Sequence, residues 1–207
     1  MKGVNVEINK EKREMIIRTA ALFLLFSVIG WVYEWALCVS RGEGLFVNHG
    51  FCLGPWLPIY AVGGVPIILG FTALADHIKA NAKSAALKRL VPLIMWALGS
   101  VLAAAVELAV TLIMDMVGAD WHSLWQYDEN FMNYQGRIAL WPSMKFGFLI
   151  LIAMYVVVPA LDRVLDNTRD GGKKEKIRNG IVIALSLLFI IDFTVHLFIG
   201  SNYAEEL

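Results

Sequence analysis

The sequence predicts an all-α, polytopic membrane protein, a five-span helical bundle forming one membrane-embedded domain over residues 1–207. Three observations predict it. Hydrophobic residues make up 58% of the chain and charged residues 17%, outside the range of ordinary soluble domains. Five stretches each offer the roughly 20 apolar residues that a hydrocarbon core requires, at residues 16–39, 55–75, 90–114, 138–161 and 180–200. Finally, the basic residues alternate between sides: five lie up to Arg18, four in Asp76–Arg89 and six in Asp162–Arg178, against Arg41 and Arg137 in the other loops. By the positive-inside rule the N-terminus is cytoplasmic and the C-terminus is outside.

Taken in order, the N-terminal MKGVNVEINKEKREM mixes both charge signs, and the long run behind it has no small-residue cleavage site. This argues for a first span rather than a cleaved signal peptide. Glu34 sits about two-thirds of the way along that span, where an ionised side chain costs roughly 2.5–3.5 kcal/mol and needs a partner or a use. Cys38 and Cys52 both fall near the outer face, and one candidate pair without a framework is better read as two unpaired thiols than as a disulfide.

The second span contains Pro55, Pro58 and Pro66 with Gly63, Gly64 and Gly70. Prolines remove backbone donors, so a kinked or broken helix is expected, either lining a substrate site or packing as a bent element. In the third span Gly99, Ser100, Ala103, Ala104, Glu107 and Thr111 share one face, which points inward because small residues let helices approach. The outer segment that follows carries Trp121, Trp125, Tyr127, Phe131 and Tyr134, suited to the headgroup level as a belt or a partly re-entrant hairpin. Arg137 stands at the mouth of the fourth span and Lys145 inside it. Asp192 lies in the fifth span, with His196 one turn beyond on the same face.

Counted from the outer end of each span, Glu34, Glu107, Lys145 and Asp192 lie roughly 8–12 Å deep and so share one expected layer. On that reading Glu34 pairs with Lys145 or Arg137. Intramembrane ionisable groups default to function, although an ion-paired brace would give the same pattern. No metal is assigned, since ligand geometry cannot be read across separate helices. The absence of GxxxxGK[ST], CxxC, HExxH and GxSxG leaves the chain without a nucleotide-binding or hydrolase motif, and no cofactor is expected.

Three blocks in order, GWVYE at Gly30–Glu34, NHGFCLGPWLPIY at Asn48–Tyr60 and WQYDENFMNYQGRI at Trp125–Ile138, resemble the signatures of the CmpB-type ABC-transporter permease family, type IV. The family pattern runs approximately GWxYE, NRGFLxGPxxPIYG, WDYS and NxxGRI. This chain departs from it at His49, Cys52, Ala61, Gln126 and Asp128. The resemblance marks Gly30, Trp31, Tyr33, Glu34, Asn48, Gly50, Gly54, Pro55, Pro58, Tyr60, Asn133, Gly136 and Arg137 as motif residues, and implies a permease that borrows an ATPase.

The expected function is therefore a permease or permease subunit moving a small solute or lipid-like substrate through a polar cavity in the outer half of the bilayer. Glu34, Glu107, Arg137, Lys145, Asp192 and His196 would form its charge network. Expected partners are the bilayer, a separate ATPase subunit and a second copy of the chain, with no nucleic acid. The expected location is a bacterial plasma membrane. Two rivals stand beside this reading: a membrane-embedded enzyme acting on lipid or envelope substrates with Asp192 and His196 as an acid/base pair, and a structural or assembly protein braced by buried salt bridges.

Overall fold

The computed structural model describes residues 2–40, 42, 52–122, 125–169 and 171–199. They fold into helices α1 (Lys2–Ser40), α2 (Pro58–Asn81) and α3 (Ala85–Val117), a hairpin of β1 (Asn133–Tyr134) and β2 (Ile138–Ala139), then α4 (Leu140–Ile152), a π-helical turn at Ala153–Val157, α5 (Val158–Asp166) and α6 (Lys173–Ile199). Five helical stretches are long and apolar enough to cross a membrane: Lys10–Ser40, Pro58–Asn81, Ala85–Val117, Leu140–Asp166 and Lys173–Leu197. The chain is an all-α polytopic membrane protein.

The helices outrun the apolar windows that predicted them. The 33 residues of α3 reach about 50 Å, well beyond a ~30 Å hydrocarbon core, because its polar first turns stay helical outside the apolar stretch. Its start is fixed by Ser84, whose side chain accepts the Leu87 N–H at 3.2 Å, and its end by Gly118 in the left-handed conformation at φ 71°. In the second span the hydrogen-bonded helix runs unbroken from Pro58 to Asn81 with Pro66 inside it. Pro58 opens that helix, where a missing N–H costs nothing. The irregular stretch lies just before it, at 52–57. The fourth span carries an interruption the sequence did not announce: the Val158 N–H reaches back to the Ala153 carbonyl, closing one wide turn.

The chain divides into two compact units. In the first, Met1–Ile67 with Ala160–Leu207, α1 and α6 pack as parallel neighbours. Ile17 and Ala21 bury against Val182, and the Phe23 and Phe189 rings meet edge to face at 5.3 Å. An ionic lock sets the stagger. Arg178, 7% exposed, donates through Nη2 to both Glu14 oxygens at 2.7 and 2.8 Å and through Nη1 to the Leu165 carbonyl at 2.8 Å. Arg13 pairs with Glu175, and Arg18 grips Asp162 with two bonds of 2.6 and 2.9 Å. Removing one partner of such a buried pair strands the other, so Arg178→Ala is expected to destabilise the protein by about 3–5 kcal/mol. Thermal unfolding in detergent measures it, and the double variant Glu14→Met, Arg178→Met should recover most of the loss. Equal damage in both variants would show that packing, and not the charge, is what matters there.

In the second unit, Ile68–Pro159, α3 packs antiparallel on α4 at the small-residue face read from the sequence. A Cβ on Gly99 would sit 3.0 Å from Ile150 Cδ1 and 3.4 Å from Gly147 Cα. One on Gly147 would run into the Ser100 hydroxyl and the Trp96 carbonyl. Glu107 and Thr111 are buried on the same face, and the Trp96 indole donates to the Met144 carbonyl at 3.1 Å. Glycine here buys the close approach on which membrane helix pairs depend.

Candidate functional site

Within the first unit, the segment Cys52–Leu57 is wedged beside the middle of α1 and α6. Cys52 and Trp56 bury against Leu24, with Val28, Phe189 and Phe193 around them. The Leu57 N–H donates to the Ser27 carbonyl at 3.0 Å. Ser27 lies thirteen residues, about 20 Å, back along α1 from Ser40, so Leu57, just before α2, sits at that level. Cys52, expected near the outer face, is instead packed at the depth of Leu24. The side chains of the segment are apolar, and its irregular backbone can enter because its N–H groups find bonding partners there.

Those partners are specific. Asp192 Oδ1 accepts the Leu53 N–H at 3.1 Å and Oδ2 accepts the Gly54 N–H at 2.8 Å. Backbone donors without helical partners are costly inside a membrane, and a carboxylate taking two of them satisfies both. Gly54 is required by contact, since a Cβ there would meet the Trp56 indole and come within 3.0 Å of Asp192 Oδ2. Each Asp192 oxygen thus holds one backbone N–H, and His196 is half-buried one turn beyond.

Farther along α1, Glu34 accepts a hydrogen bond from the Tyr60 hydroxyl. Gly30, one turn before Glu34, leaves room for the Tyr60 ring, into which any Cβ would collide. The first two motif blocks therefore meet through Gly30, Glu34 and Tyr60, with Tyr33 6.2 Å from Tyr60 between ring centroids. The cation expected beside Glu34 is replaced in this contact by a phenol from the next motif. Asn48 and Gly50 lie outside the described residues.

The second unit holds the third block. The β1–β2 hairpin pairs Asn133 with Ala139 and Tyr134 with Ile138. Asn133 builds its turn: Oδ1 accepts the Gly136 N–H at 3.2 Å and Nδ2 donates to the Asp128 and Asn130 carbonyls at 2.9 and 3.0 Å. Gly136 has φ 68°, and a Cβ on it would press on the Asp128 carboxylate. The Tyr127 hydroxyl donates to Glu107 Oε1 at 2.9 Å, while Glu107 Oε2 is buried without a hydrogen-bond partner among the described residues. Arg137 donates to Asp115 Oδ2 at 2.6 Å and lies over the Trp121 ring at 4.7 Å. Its Nε and Nη1 are buried and unbonded among the described residues. Beyond the hairpin's reach, exposed Asp120 accepts the His122 backbone N–H at 3.0 Å, which holds its carboxyl below the usual range.

The expected single charge layer does not form within either unit. The Glu14–Arg178 stagger of 164 residues sets Asp192 level with Val28, six residues or about 9 Å from Glu34 along α1. In the second unit, the Gly99–Gly147 crossing sets Lys145 level with Val101, again about 9 Å from Glu107, and Lys145 is exposed. Depths counted from span ends assume that all helices end in one plane, whereas packing contacts set the actual offsets. The sequence reading missed Tyr60 as the partner of Glu34 and Asp115 as that of Arg137. The only available signal was their position, Asp115 at the end of α3 and Arg137 at the start of the span that follows.

Comparison with known proteins agrees with the motif blocks over a longer stretch. No curated protein and no solved structure matches the chain. Residues 21–197 match the model of a family described as "Putative ABC-transporter type IV". Since that match covers all five spans in whole or in large part, the chain belongs to this CmpB-type ABC-transporter family.

Proposed function

We propose that this chain is the permease subunit of a transporter driven by a separate ATPase, sited in the plasma membrane with its N-terminus in the cytoplasm. It moves a small solute or lipid-like substrate through a polar cavity in the outer half of the bilayer. The observation that carries this reading is the non-helical segment Cys52–Leu57 held among spans by Asp192 and Ser27. Irregular backbone at membrane depth is tolerated where it is buried in protein or lines a cavity, and interrupted segments form substrate sites in transporters. Within the first unit Asp192 then positions the segment and Glu34 with Tyr60 presents an acceptor; within the second unit Glu107 with Tyr127 offers an acceptor and Arg137 a cation for an anionic group.

Affinity purification from the native membrane in mild detergent tests the partner. A stoichiometric P-loop ATPase supports the reading, and the chain recovered alone or as a homo-oligomer removes the ATPase from it. In proteoliposomes of the recovered complex, Glu34→Gln is expected to abolish ATP-dependent flux while expression and thermal stability persist. Unchanged flux would exclude Glu34 from the pathway.

One observation favours a second reading. Asp192 and Arg137 both spend their charge on internal bonds, as a structural or assembly membrane protein would have them do. On that reading, uncharged polar replacements at Glu34 and Glu107 together leave function intact.

A further inference from the structure

Along one side of the α1–α6 pair runs a cavity of about 490 Å³ whose wall includes Met15, Ile16, Thr19, Phe23, Ser186 and Ile190. Its polar lining is nearly silent, because the Ser186 hydroxyl is turned back onto the Val182 carbonyl at 2.8 Å. Met15, Ile16 and Ile190 are 64%, 67% and 54% exposed, so the cavity opens to the surroundings of the unit. From Met15 to Leu24 it extends about 13–14 Å, the depth of one leaflet of a ~30 Å hydrocarbon core.

Charge marks one end. Lys12 lies three and four residues before Met15 and Ile16 and so shares their face of α1. Next to it, the Arg13 side chain remains 54% exposed although it pairs with Glu175. Lys10 is also exposed. The groove is thus apolar along its length, and its mouth carries Lys10, Lys12 and Arg13 with a single exposed acid, Glu11, among them, on the side where the basic residues of Asp162–Arg178 gather.

We propose that this groove is a binding site for an anionic phospholipid of the leaflet next to the basic loops, with an acyl chain between α1 and α6 and its phosphate at Lys12 and Arg13. Basic residues near a membrane surface attract anionic lipid, and the chain fills a space that would otherwise forfeit contacts. The site lies on the opposite half of the unit from Glu34 and does not require the transport reading, although two of its walls, Leu24 and Phe189, also flank Cys52 and Trp56.

Native mass spectrometry of the purified chain, titrated with phosphatidylglycerol or with phosphatidylcholine, tests it. One phosphatidylglycerol per chain is expected to survive at collision energies that strip phosphatidylcholine. Lys12→Ala should weaken that binding about fivefold. Thr19→Trp, at an exposed wall position, should abolish the adduct with the melting temperature unchanged. If Thr19→Trp fails to fold, Ser186→Leu fills the same space from α6 and carries the same expectation. Equal retention of the two lipids, retention of the adduct in the filled variants, or a second copy of the chain displacing lipid would each overturn the proposal.

Discussion

Asp192→Ala is expected to free the Cys52–Leu57 segment from its seat. Both carboxylate oxygens accept backbone N–H groups, from Leu53 and Gly54, and alanine would remove that acceptor from both. The Gly54 N–H is the more buried of the two, and an unsatisfied buried donor costs about 1–3 kcal/mol, a sizeable share of typical folding stability. Cys52 supplies the readout. Its side chain is 1% exposed, and in a Cys38→Ala background the single thiol should resist maleimide in the wild type and label at least tenfold faster in Asp192→Ala. Asp192→Asn keeps one accepting oxygen and should fall between. Identical labelling in all three would mean that the segment is seated by Leu24, Trp56 and Phe189 alone, and Asp192 would then need another explanation.

Gly147→Val is expected to separate α3 from α4. Part of what a Cβ would meet is backbone, the Trp96 carbonyl, which cannot rotate away, together with the Ser100 hydroxyl bonded to that same carbonyl at 2.8 Å. Overpacking of this kind costs about 1–3 kcal/mol or more, and the β-branched side chain adds to it. The Trp96–Met144 hydrogen bond would be lost with it, since it spans the same two helices. Gly70→Ala is the matched control: a Cβ there meets nothing within 4 Å, and alanine is the better helix former by about 1 kcal/mol. Thermal unfolding in detergent should therefore show opposite signs at two helical glycines. A neutral Gly147→Val would show that the helices can slide apart without loss.

These two sites show where sequence reading succeeds and where it stops. The Gly99 to Thr111 face was legible because helical periodicity is local: residues three and four apart share a face whatever lies opposite. What faces it, Gly147 on α4, was not legible, because nothing in either segment names its partner. Glu34 and Asp192 were both recognised as carboxylates that required compensation inside the membrane, and both have it. Their compensating groups, a tyrosine hydroxyl and two backbone N–H groups, were missed, since a search for charge finds only charge. Asn133 and Gly136 were marked by the motif, and the hairpin explains them as turn builders.

By itself the sequence determined that this chain has five helices apolar enough to cross a membrane, roughly where each one lies, and which family it belongs to. The spans follow from the cost of moving side chains and backbone out of water, a cost summed along the chain with no reference to contacts, and the family follows from short motif blocks read in order. Tertiary structure alone decided that the Cys52–Leu57 segment turns inward, that α6 is staggered against α1 by the Glu14–Arg178 lock, and that the charged side chains of the spans lie at different levels in each unit. Hydrogen bonds and packing between residues more than a hundred positions apart fix these offsets, and no local average over the sequence contains them.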